Sequence, residues 1–150
     1  MINTFLDAVF RNCNPSGYVH LYVFSHQRGV KSLLSERVAL TDRARIAAAA
    51  VMRQGTVFSP PVCLFAPGGT TAENNVLEAP VIALELDGNP SEGRALAEAV
   101  LGTPTLVIRS GGVTAQGEHK LHLYWRLTQP ARSTEDIATL KRVRHGIALI

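Results

Sequence analysis

Residues 81–88 read VIALELDG: Val81, Ile82, Ala83 and Leu84 are apolar, and Glu85, Leu86 and Asp87 then alternate before Gly88. In an extended chain, side chains two apart point the same way. Glu85 and Asp87 therefore share a face with Ala83, while Leu84 and Leu86 look to the opposite, helix-covered side. A strand over 80–87 with one covered face and one acid-bearing face is the element around which the rest can be placed. Two carboxylates held that close repel unless water or a cation lies between them. At a strand's C-terminal end they offer oxygens at a spacing suited to Mg²⁺ or Mn²⁺, which share their remaining ligands with substrate phosphates. The competing reading leaves Glu85 in solvent and has Asp87 open the GNP turn.

Downstream, GNPSEGRALAEAVLG predicts a helix over 91–101, capped by Ser91, with Glu92 near its positive end and Gly102 closing it. TPTLVIRS is another strand. A parallel crossover from the first strand to the second is the economical connection, their order in the sheet being left open. KLHLYWRL alternates as a strand and pairs antiparallel with TLVIRS across GGVTAQGEHK, a long, glycine-rich and mobile loop. The last helix starts at Ser133 or Thr134, takes Asp136 into its first turn and Lys141, Arg142 and Arg144 into its last, and stops at Gly146. IALI then reads as the start of a further strand, and the natural chain is expected to continue.

Upstream, INTFLDAVF places Phe5, Leu6 and Val9 at helical spacing, and the turn formers Asn14 to Gly17 lead into the strand YVHLYVFS. A helix spans 41–54, capped by Thr41 or Asp42 and stopped by Gly55; its alanines 47 to 50 allow close approach of another element. A short strand over 62–65 follows Pro60 and Pro61, which are themselves unfit for a central ladder.

With 46% apolar and 18% charged residues in 150, the chain is globular and long enough for one substantial core. A formal charge of +3 permits a polyanionic partner without requiring one. Cys13 and Cys63 fit no zinc or disulfide pattern, so reduced thiols and a cytoplasmic location are expected. Asp7 interrupts the N-terminus as a signal peptide, and no run reaches the roughly 18 apolar residues of a membrane span.

Lys120, His122 and Tyr124 fall on one face of their strand, and Leu121, Leu123 and Trp125 on the other. If the two strands are close, Lys120 and His122 join Glu85 and Asp87 on one open surface, with a metal at one end and phosphate-binding groups at the other. The plainer reading packs His122 on a half-buried face and uses Tyr124 and Phe24 as packing. Ser110, Gly111 and Gly112 end the preceding strand with amides open to a phosphate, and Arg109 is a candidate clamp. His26 and Arg28 add cations after the first strand. No serine elbow, P-loop or zincin motif is present.

Together, VIALELDG, TPTLVIRSGG and KLHLYWRL, in that order and with the helix between the first two, resemble the catalytic domain of archaeo-eukaryotic-type primases. The likeness is to the primase domains of plasmid, phage and integrative-element replication proteins. It covers about 18–145, with its specific part at 80–127. The resemblance implies an α+β fold with a mixed central sheet and packed helices, the RRM-like primase-polymerase fold, in a single domain over 1–150 or its N-terminal portion. It implies metal ligation by Glu85 and Asp87, and phosphate contact by His122 with Arg109, Ser110, Gly111 and Lys120 around the nucleotide. Mg²⁺ or Mn²⁺, nucleoside triphosphates, a single-stranded DNA template and a helicase or replication-initiation partner go with it. The activity implied is DNA-dependent nucleotidyl transfer that makes primers for mobile-element replication.

Two positions depart from the family. Glu85 stands where an aspartate is frequent, and the third acid is expected beyond Ile150, since Asp136 belongs to a helix cap. The alternatives are a degenerate relative, a non-catalytic nucleic-acid-binding module using Arg28, Arg109, Lys141, Arg142 and Arg144, and a structural or dimerising domain.

Overall fold

The computed structural model describes residues 2–25, 34–51, 56–59, 62–68 and 70–147. His26, Arg28, Gly55, Pro60 and Pro61 lie outside the described residues. The chain has an α+β fold and divides into two compact units, Met1–Ala79 and Pro80–Ile150.

The first unit runs α1 (Ile2–Phe10), β1 (Tyr18–Ser25), β2 (Leu34–Ala39), α2 (Arg43–Val51), β3 (Thr56–Ser59) and β4 (Leu64–Phe65), then the first residues of β5 (Val76–Leu86). α1 buries Phe5, Leu6, Val9 and Phe10, the stripe its spacing predicts. β1 is the hub, antiparallel to β2, β3 and β4, with Val19 and Leu21 fully buried. α2 is described over Arg43–Val51, and 52–55, the end expected for it, lie outside the described residues. It starts after Asp42, whose carboxylate accepts the Arg45 N–H at 3.1 Å, so Asp42 rather than Thr41 is the cap. The strand expected over 62–65 is reduced to Leu64–Phe65, which pairs with Glu78 and Val76. Glu78 is buried, and its carboxylate accepts the Asn14 N–H at 2.7 Å.

The second unit holds the rest of β5, then α3 (Pro90–Leu101), β6 (Leu106–Val113), β7 (His119–Ala131) and α4 (Thr134–Ile147). β7 lies between β5 and β6, so the connection through α3 skips one strand position. β6 and β7 form the expected antiparallel hairpin, with Ile108 opposite His122 and Leu106 opposite Tyr124. Both strands run further than expected, which shrinks the long loop to a turn closed by the Thr114 N–H on the Glu118 carbonyl at 2.8 Å.

α3 begins one residue earlier than its sequence suggests. Asn89 takes the cap position, Pro90 opens the first turn where its missing N–H costs nothing, and Ser91 is already helical. Gly102 closes the helix as expected, its N–H on the Glu98 carbonyl at 2.9 Å. α4 opens with a reciprocal box: the Asp136 N–H donates to Ser133 Oγ at 3.0 Å and the Ser133 N–H to Asp136 Oδ2 at 3.2 Å. It passes through Gly146 to Ile147, so Ile147 is helical where the sequence suggests the start of a strand; 148–150 lie outside the described residues. No described helix is long and apolar enough to cross a membrane.

Candidate functional site

Every described residue of the expected site lies within the second unit. Leu86 packs under α3, close enough that a Cβ on Gly93 would stand 3.0 Å from its Cδ2. Alternation then turns Glu85 and Asp87 to the other side, and both are exposed. On β7, Leu123 is fully buried and Trp125 donates its indole N–H to the Gly102 carbonyl at 2.7 Å, so the odd-numbered residues belong to the side that α3 covers. Lys120, His122 and Tyr124 take the opposite side, as the alternation of KLHLYWRL predicts.

Two interactions tie the acids to that side of β7. Lys120 Nζ lies 3.5 Å from Asp87 Oδ1. The Tyr124 phenol is pushed up to about 12, by burial first and by the Glu85 charge second. The Tyr124 hydroxyl lies 3.4 Å from His122 Nδ1, and the two rings meet edge to face. Glu85, Asp87, Lys120, His122 and Tyr124 thus form one neighbourhood on two adjacent strands. Tyr124 is only 8% exposed, so its ring is packing and not a platform for a base.

Ser110 joins this side of the hairpin, its Oγ 3.5 Å from the Lys120 carbonyl. The Ser110–Gly111 stretch is not a turn after the strand, however. It lies inside β6, where the register shifts between Arg109 and Val113 and Gly111 takes φ +91°. Between these pairs β6 carries three residues, 110–112, against the single Lys120 of β7, and glycine adopts the positive φ at this irregularity without strain.

Arg109 parts from the group. It pairs with Leu121 and so faces α3, lining with Ser91, Arg94, His119 and Leu121 a hollow of about 470 Å³ on the side away from His122. Neighbours in a strand point in opposite directions, so Arg109 and Ser110 cannot both meet a nucleotide held at His122. Lys141, Arg142 and Arg144 are exposed on α4, which buries Ile137 and Leu140; Arg142 donates to Thr139 Oγ1 at 2.8 Å. Arg28 lies outside the described residues.

One further acid emerges. Glu85, Asp87, Asn89 and Glu92 line a shallow hollow of about 360 Å³ where β5 passes into α3, and Asn89 Nδ2 donates to Glu92 Oε2 at 3.3 Å. In the sequence Glu92 reads only as a helix-end charge. Its place five residues after Asp87, in a first turn that folds back on the strand end, is the signal that could have found it. Among the described residues no group of three or more His, Cys, Asp or Glu side chains is placed to hold a metal ion. Glu85 and Asp87 are a two-carboxylate donor set, with hard oxygen ligands of the kind Mg²⁺ and Mn²⁺ take. The ammonium of Lys120 already stands at one of them.

The fold is similar to that of the AEP domain of the primase-polymerase (PrimPol) of cyanophage S-2L, with a TM-score of 0.61 over 98% of this chain and 71% of that one. Sequence identity across the match is 17%, so the likeness is one of fold. No protein-family model and no curated protein matches the sequence.

Proposed function

We propose that this chain is a nucleotidyltransferase domain of the primase-polymerase kind, its second unit the RRM-like half that carries the site. It joins nucleotides from their triphosphates on a single-stranded DNA template to make primers for mobile-element replication, in the cytoplasm and beside a helicase or replication initiator. The observation that carries the reading is the neighbourhood of Glu85, Asp87 and His122 on one side of adjacent strands, in a chain whose fold is similar to that of a PrimPol AEP domain.

Glu85 and Asp87 would hold Mg²⁺ or Mn²⁺, which when bound neutralises a triphosphate and lowers the pKa of an attacking hydroxyl. His122 steadies the phosphates, oriented by Tyr124. Lys120 adds a positive charge on the same side, and Ser110 supplies a hydroxyl beside it. Arg109, on the side of α3, takes no part in this site.

The test is primer synthesis and extension on single-stranded DNA with Mn²⁺ and nucleoside triphosphates. Asp87→Ala, Glu85→Ala and His122→Ala should each lower the rate by on the order of 10²-fold or more. Activity that survives Asp87→Ala would refute the reading. The exposed Lys141, Arg142 and Arg144 of α4 favour one alternative, a nucleic-acid-binding module without catalysis. That module would bind single-stranded DNA in a salt-sensitive manner with no dependence on Mn²⁺, and neutralising Lys141, Arg142 and Arg144 would weaken it.

A further inference from the structure

Lys120 is the one cation of the described ion pairs that reaches Asp87, at 3.5 Å, and its side chain is the more sheltered partner, 32% exposed against 65%. Its stem is seated: a Cβ on Gly112 would come within 2.9 Å of Lys120 Cδ, so the bare backbone of the β6 bulge makes room for the methylenes. A lysine in solvent reaches many neighbours, but this one is guided by its strand face and by Gly112 to a carboxylate just past the end of the next strand.

We infer that Lys120 is a built-in, displaceable counter-ion of Asp87, which holds the acid pair together without a divalent ion and sets how tightly such an ion binds. The inference rests on the metal-binding reading proposed above. Two adjacent carboxylates repel, and the ammonium removes half of that charge. A divalent cation arriving at the same oxygens meets the ammonium as a like charge, so it gains less than it would at two bare acids. Once displaced, the ammonium remains beside His122 on the side where a triphosphate would lie. One side chain then serves the acids first and the phosphates second, which couples metal binding to nucleotide binding.

The experiment measures Mn²⁺ affinity of the whole chain by calorimetry without nucleotide, in wild type, Lys120→Met, Lys120→Arg and Asp87→Asn. Lys120→Met keeps the stem over Gly112 and removes the charge, and is expected to tighten Mn²⁺ binding by about tenfold. Lys120→Arg keeps the charge and should stay within about threefold of wild type. Asp87→Asn should abolish binding. Should Lys120→Met not fold, Lys120→Gln carries the same expectation. Equal or weaker binding on loss of the lysine charge, with Asp87→Asn still abolishing it, overturns the inference and leaves the metal site standing. No Mn²⁺ binding by any form, Lys120→Met included, overturns the metal reading and the inference with it.

Discussion

Tyr124 shows how one residue can be packing and still matter to the site. Burial and the Glu85 charge hold its phenol up to about 12, so the O–H keeps its proton at any working pH, 3.4 Å from His122 Nδ1. Donation from this hydroxyl to Nδ1 would leave the ring hydrogen on Nε2, the nitrogen able to meet an anionic oxygen, and that is the tautomer expected here. Tyr124→Phe is expected to cost about 1 kcal/mol of stability, the worth of one hydrogen bond. It should also lower kcat for nucleotide addition by roughly tenfold with less change in KM, because the ring loses its orientation. A nitrogen-15 spectrum of His122 reads the tautomer directly, and an unchanged ratio in the variant would contradict the assignment. At this scale the sequence is legible where period-two alternation decides: Glu85, Asp87, Lys120 and His122 can be placed by counting. Arg109 and the Lys120–Asp87 pair are not legible that way, since cross-strand register and side-chain reach are set by tertiary pairing.

Among elements, those with unmixed patterns are readable and those at edges are not. α1, β1, β5 and β7 carry long apolar alternations or helical stripes. β2 escapes notice because Glu36 and Arg37 interrupt it, charges that an outer strand uses to stay unpaired with other chains. Arg37 nevertheless fixes the adjacent segment. It donates to the carbonyls of Ala66, Gly68 and Thr70 and lies 5.3 Å over the Phe65 ring. Lysine cannot reproduce that fork, so Arg37→Lys is expected to cost about 1–3 kcal/mol in chemical denaturation.

The β1–β2 ladder also carries a pH dependence. His20 lies below its ordinary 6.5, by burial first and by Arg37 second. Its Nδ1 is buried without a hydrogen-bond partner, while Nε2 meets Ser35 Oγ at 2.9 Å. The folded ring resists the proton that the unfolded chain accepts, so this contribution to stability is complete above about pH 6.5 and is lost as the pH falls below it towards the folded value. Denaturation midpoints taken between about pH 7.5 and 5 should fall more steeply in wild type than in His20→Gln. Parallel curves would contradict the placement of His20.

For the whole molecule, the sequence conveys the α+β class and the order of the central elements, because strand, helix, strand and hairpin each carry local signals. The order of strands in space is not local information. That β7 separates β5 from β6 depends on which edges pair after collapse, and no single segment encodes it. The division at Ala79 and Pro80 is likewise hidden, since it falls inside β5 and no linker composition marks it. Function at this scale depends on whether the acids and the histidine act on one nucleotide. The measurement that tests this most directly is a crystal structure of the chain with Mn²⁺ and a non-hydrolysable nucleoside triphosphate, read by anomalous scattering from the manganese. The account predicts a peak at the Glu85 and Asp87 oxygens with the triphosphate within hydrogen-bond reach of His122 and Lys120. A peak elsewhere, or phosphates seated on the Arg109 side beneath α3, would contradict it.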